Sequence, residues 1–191
     1  MDEELRSLTE RLRRESGGGA GFERLAATGD TDELAEVLVA PGHALWAREL
    51  AAFRLGRAGD RRAFEALVLL LNHRDPQRCG SAAHALSRLG DPRTARAAAA
   101  LATNELRVAY ALHPVRLLVE LRAPEAVPAL ITTLRRRLSP HDPYRKVALA
   151  CVDGLGDLGD HRARTVLNEA LAHPALAEAA VRALARIPRQ R

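Results

Sequence analysis

A Gly-Asp pair recurs along this chain at near-constant spacing, and no other feature limits the fold so tightly. It stands at Gly29-Asp30, Gly59-Asp60, Gly90-Asp91 and Gly159-Asp160. The first two intervals are 30 and 31 residues, and the third is 69, which fits two repeats with the missing member at Arg122-Ala123. Its flanks agree, because Leu89-Gly90-Asp91-Pro92 aligns with Leu121-Arg122-Ala123-Pro124. A period of this size is the signature of stacked helical or propeller-like units, which bury surface only by packing on their neighbours.

Offsets from each Asp position show which kind of unit repeats. Five residues before it stand Leu25, Leu55, Leu86, Leu118 and Leu155, and a further step reaches Leu184. Seven residues after it stand Val37, Leu67, Ala98, Leu130 and Leu167. Small residues dominate three after it, as Ala63, Thr94, Ala126 and Ala163. Such spacing puts one apolar stripe on a helix at each side of the turn. Gly suits a left-handed helix end, and Asp suits the N-cap of the next helix, where its carboxylate accepts free backbone N–H groups. Pro92 and Pro124 follow the cap, where a missing N–H is harmless. Pro and His cluster at 41–43, 73–76, 139–143 and 173–174, which predicts loops there.

The expected architecture is therefore all-α: a right-handed α-solenoid of five to six helical pairs. Residues 1–20 are expected to form a charged helix and a glycine break, Gly17-Gly18-Gly19, with the helix a solvated cap or loosely attached arm. Residues 21–191 are expected to form the repeat domain.

Residues 123–131 read Ala-Pro-Glu-Ala-Val-Pro-Ala-Leu-Ile, and residues 47–60 read Ala-Arg-Glu-Leu-Ala-Ala-Phe-Arg-Leu-Gly-Arg-Ala-Gly-Asp. Both segments resemble the HEAT-like repeats of the phycobilisome-lyase type, over a second helix and over a first helix with its turn. The resemblance covers about residues 22–188. It implies stacked pairs whose second helices line a binding surface. The family's first-helix Arg is matched by Arg48 alone, with Cys79, Ala111, Ala148 and Ala177 as counterparts.

Charge does not by itself choose a partner. The chain carries 29 basic residues, all Arg except Lys146, against 24 acidic ones, for a net +5. A protein tracking phosphates offers a continuous basic groove. Two, five and nine residues after each Asp position, the second helices instead carry mixed rows. Arg62, Arg93 and Arg162 gather at helix starts, while Val39, Leu69, Ala100, Thr132 and Glu169 form the row at nine. That pattern favours a protein segment with a polar rim. The candidate partner-binding residues are Arg62, Leu69, Arg93 and Arg96, with Trp46 and Tyr144 as anchors. Nucleic acid is the alternative partner.

Catalytic patterns are weak. Gly154-Leu155-Gly156-Asp157-Leu158-Gly159 matches a dinucleotide fingerprint, but the repeat register assigns it to a helix end and not to a strand–turn–helix. The seven histidines form no ligand cluster, and neither cysteine has a base in sequence reach. No enzyme activity, cofactor or metal is expected. No 18-residue apolar stretch or basic leader is visible, so a cytoplasmic protein without membrane contact, monomeric by itself, is expected.

Overall fold

A computed structural model describes residues 3–139 and 141–188. Met1 and Asp2 of the predicted charged segment, Pro140 of the predicted 139–143 loop and residues 189–191 of the predicted repeat domain lie outside the described residues. Among the described residues there are helices and turns and no strand. The chain divides into two compact units, Met1–Thr94 and Ala95–Arg191.

The first unit holds α1 (Glu3–Ser16), α2 (Ala20–Ala27), α3 (Thr31–Val39), α4 (Leu45–Arg57), α5 (Phe64–Leu71) and α6 (Pro76–Leu89). Helix α4 is its centre and packs against α1, α2, α3, α5 and α6. Its composition explains this, because Ala47, Ala51, Ala52 and Gly56 let neighbours approach while Leu50, Phe53 and Leu55 fill the gaps. A Cβ on Gly56 would lie 2.8 Å from Leu67 Cδ1 and 3.1 Å from Ala85 Cβ.

The second unit follows α7 (Thr94–Ala102), which opens at the join, with α8 (Leu112–Leu121), α9 (Ala126–Arg135), α10 (Arg145–Leu158), α11 (Arg164–Ala170) and α12 (Ala177–Arg186). Here α10 is the centre, against α8, α9 and α12. The Gly-x-Gly pair of the fingerprint lies inside α10. A Cβ on Gly156 would meet Ala183 Cα of α12 at 2.8 Å, and one on Gly154 would strike Val119 of α8. These glycines serve helix packing.

The repeat register survives residue by residue. Leu25, Leu55, Leu86, Leu118 and Leu155 are all buried, as are Val37, Leu67, Ala98, Leu130 and Leu167. The small-residue row, Ala63, Thr94, Ala126 and Ala163, is buried throughout. Among the described helices, the repeat register gives α2/α3 and α4/α5 in the first unit and α8/α9 and α10/α11 in the second, while α6 and α7 lie on either side of the division. Helix α12 takes the first-helix register of a sixth, with Leu184 only half-buried.

The turns follow the expected chemistry with two exceptions. Gly59, Gly90 and Gly159 have φ of 76°, 65° and 69°. Asp30, Asp60 and Asp160 accept the N–H two residues ahead at 2.8, 3.0 and 2.8 Å. Asp91 does the same for Arg93 N–H at 2.9 Å. Gly29 departs from the expectation, because α2 ends at Thr28 in extended backbone and Gly29 has no positive φ. At the missing Gly, Arg122 itself adopts φ 50°.

The N-terminal helix is not a loose arm. Leu8 and Leu12 are 1% and 0% exposed, and α1 packs on α4 and α6. Arg11 and Glu15 of α1 join Glu49 of α4 and Arg78 of α6 in one ion cluster. Arg78 bonds Glu15 at 2.5 Å, and both Arg11 and Arg78 bond Glu49. Glu49 is 2% exposed and Arg78 8%. A pair this deep holds only when each charge is answered.

Candidate partner-binding surface

The helix starts hold their arginines in a recurring way. A cap Asp and the Arg two residues on fold back on each other as a fork. Arg62 Nε donates to Asp60 at 3.0 Å and Nη2 at 2.6 Å. Arg93 repeats this on Asp91 at 3.0 and 2.9 Å, and Arg162 on Asp160 at 3.0 and 2.7 Å. The charge-assisted bonds stabilise the ionised carboxylates. Asp60 and Asp91 are held below the usual carboxylate range by these arginines, and Asp160 falls to about 2.

The same arginines then reach back one repeat. Arg62 Nη1 donates to Asp32 at 2.8 Å, and Arg93 Nη1 donates to Glu65 at 3.2 Å. Arg93 also lies 3.9 Å over the Phe64 ring. Arg62 and Arg93, both candidate partner-binding residues, are thus held in place by carboxylates of this chain. They stand exposed at the surface as groups already ion-paired within the chain.

Other arginines link repeats in the same manner. Arg54 is half-buried and donates to the carbonyls of Leu25 (3.1 Å) and Ala26. Arg61 reaches Gly90 O at 3.4 Å, Arg122 reaches Asp157 O at 3.1 Å, and Arg186 bonds the Asp157 carboxylate at 2.6 Å. The Arg135–Arg137 run is likewise engaged. Arg136 bonds Thr103 O and Glu105, each at 2.9 Å, and Arg137 pairs with Asp142 at 3.0 Å.

A cleft of about 350 Å³ lies in the first unit among α3, α4 and α5. Leu38 and Val39 form one wall and Leu69 and Leu70 the other, with Leu45 and Arg48 at the start of α4. Val39 is 78% exposed and Leu69 74%. Two large aliphatic side chains this open, on one apolar cleft, are the surface feature that most resembles an interface. Val39 and Leu69, the members of the row at nine in this unit, are thus solvent-facing. Ala35, five residues after Asp30, is buried on α3.

The remaining candidates are dispersed. Trp46 is half-buried and packs on Phe22, ring centroids 5.7 Å apart, so it holds α2 to α4. Tyr144 is half-buried at the start of α10, where its N–H donates to Asp142 at 2.8 Å and Arg137 lies 5.8 Å over its ring. Its surroundings are those of a loop brace, not of an open anchor. Arg96 is exposed on α7 and forms no ion pair with a described residue. Missed by the sequence reading were Arg48, Leu45 and His73 as cleft residues. They come from two helix approaches that residue spacing does not show.

No group of three or more His, Cys, Asp or Glu residues that could hold a metal occurs among the described residues. Cys79 and Cys151 are buried free thiols, and burial pushes Cys151 up to about 12, where no thiolate forms at neutral pH. No helix among the described residues is long and apolar enough to cross a membrane.

Paired helices in series with recurrent capped turns define a helical-repeat protein. Residues 147–173, which span nearly all of α10, its turn, α11 and the start of the next loop, match the PBS lyase HEAT-like repeat. The chain accordingly carries a HEAT-like repeat at these residues, of a class whose repeats typically mediate protein–protein contacts and are generally non-catalytic. No curated protein matches it.

Proposed function

We propose that this chain is a non-catalytic adaptor or scaffold that binds a segment of another protein in the α3–α4–α5 cleft of its first unit. The exposure of both Val39 and Leu69 on one apolar cleft carries this reading. Burying two such side chains is worth about 1.5–3 kcal/mol each. Arg62 and Arg93 form a polar rim whose orientation is set by Asp60, Asp32, Asp91 and Glu65. Arg96, on α7 of the second unit, does not line this cleft. Trp46 enters this reading as a support of α4, and Tyr144, on the second unit, has no part in it.

The nucleic-acid alternative lacks a comparable observation, because so many of the arginines are engaged within the chain. A cytoplasmic setting belongs to the same proposal and is supported by the two unpaired thiols. The test is capture of partners by the purified chain with and without nuclease in parallel, comparing wild type with Leu69→Asp and with Val39→Asp. A discrete protein retained by wild type and lost by both variants is the expected result. Retention by both, or recovery of nucleic acid alone, would sink the proposal.

A further inference from the structure

Of the charges lining the cleft, Arg48 alone forms no ion pair with a described residue. Arg48 is half-buried on α4 and lines the cleft together with Leu45 and Leu69. Its Nε is sealed from solvent and meets no acceptor. Buried donors are nearly always bonded, so such an exception calls for a reason. The other charges lining the cleft are all answered. Arg62 has Asp60 and Asp32, Glu65 has Arg93, and Glu49 has Arg11 and Arg78. His73 adds a further donor. Its Nδ1 accepts the Asp75 N–H at 3.0 Å, so the neutral ring carries its hydrogen on Nε2.

We propose, resting on the protein-binding reading above, that the cleft recognises a peptide segment in which an Asp or Glu carboxylate stands beside aliphatic side chains. The carboxylate bonds Arg48, and the aliphatic groups pack on Val39 and Leu69. The volume of about 350 Å³ lies at the small end for pockets that hold discrete groups, so a few side chains fill it. A single unpaired guanidinium matches a single planar carboxylate, which it binds through two parallel N–H bonds. A polyphosphate strand fits poorly. It would bring several charges past Glu65 and Glu49 with one unpaired cation in the cleft to meet them.

The experiment selects binders from a random dodecapeptide display library on the full chain, then measures synthetic winners by fluorescence anisotropy. The expected winners combine Asp or Glu with Leu, Ile or Phe. Leu69→Asp abolishes their binding, and Arg48→Met weakens it about ten- to a hundredfold. Changing the peptide's Asp to Asn costs the same factor on wild type and nothing further on Arg48→Met, which probes the bond without altering the protein. Winners without acidic residues, lost by Leu69→Asp but indifferent to Arg48→Met, would overturn the carboxylate assignment and leave the docking reading standing. No winners, or winners indifferent to Leu69→Asp, would overturn both. An oligothymidylate probe that binds more tightly than any peptide, and through Arg48, would likewise overturn both.

Discussion

Arg122 sits at φ 50° in a turn where Gly59, Gly90 and Gly159 hold the matching position in sister repeats. A side chain there crowds the carbonyl that follows it, at a cost of roughly 1–2 kcal/mol. The exposed bond from Arg122 to Asp157 O recovers part of it. Arg122→Gly should therefore raise stability by about 0.5–1 kcal/mol, read as a higher urea midpoint. His113 presents the opposite case. Burial first, and the Arg116 charge second, hold its pKa below 6.5. The folded state then binds fewer protons than the unfolded chain. Its contribution is whole above pH 6.5 and is lost as pH falls through the folded value. His113→Gln should flatten the melting temperature against pH between about 6.5 and 5. Asp160 acts lower down, since its stabilisation holds above 3.8 and disappears as pH falls toward about 2.

Among the elements, the apolar stripes were legible because helical spacing and burial are the same information. Every Leu five residues before Asp30, Asp60, Asp91, Ala123 and Asp160 is in the core. The ion cluster under α1 was not legible, since nothing local marks Glu49 as buried. The signal is nonetheless there at longer range, because Arg78 stands 29 residues after Glu49, one repeat away. The same one-repeat offset joins Arg62 to Asp32 and Arg93 to Glu65. The cleft depended on how α3, α4 and α5 meet, so only Leu69 and Arg62 of its lining were among the chosen residues. Glu49→Gln should destabilise the first unit by about 3–5 kcal/mol, because Arg78 and Arg11 are left without their shared acceptor. Amide exchange is expected to show α1 released first. Gly156→Ala should also destabilise, by about 1–3 kcal/mol, despite alanine's better helix propensity. Its Cβ meets backbone of α12 and not a flexible side-chain end. A denaturation curve that leaves Gly156→Ala as stable as wild type would contradict the packing role.

For the molecule as a whole, an excess of five positive charges is a weak guide to partners. The arginines named above mostly reach carboxylates or carbonyls of neighbouring repeats, and such groups release few counterions on binding. Affinity for duplex DNA should consequently be weak at physiological salt. In contrast, binding of a protein segment through Val39 and Leu69 should be nearly insensitive to salt. Titration of both ligand types from about 50 to 200 mM salt separates the two behaviours.

The cluster around Glu49 has a consequence for how sister helices find their places. First helices share the same leucine register, so apolar contact alone barely distinguishes one docking neighbour from another. Arg78 does distinguish them. At the register of Glu49, α6, α8 and α10 carry Gly80, Leu112 and Leu149, while α12 carries Glu178. A guanidinium docked at Leu112 or Leu149 would be buried on an aliphatic side chain with no carboxylate to answer it. The acid on α4 thus acts as an address label, setting that helix apart from the sisters that lack an acid at its place.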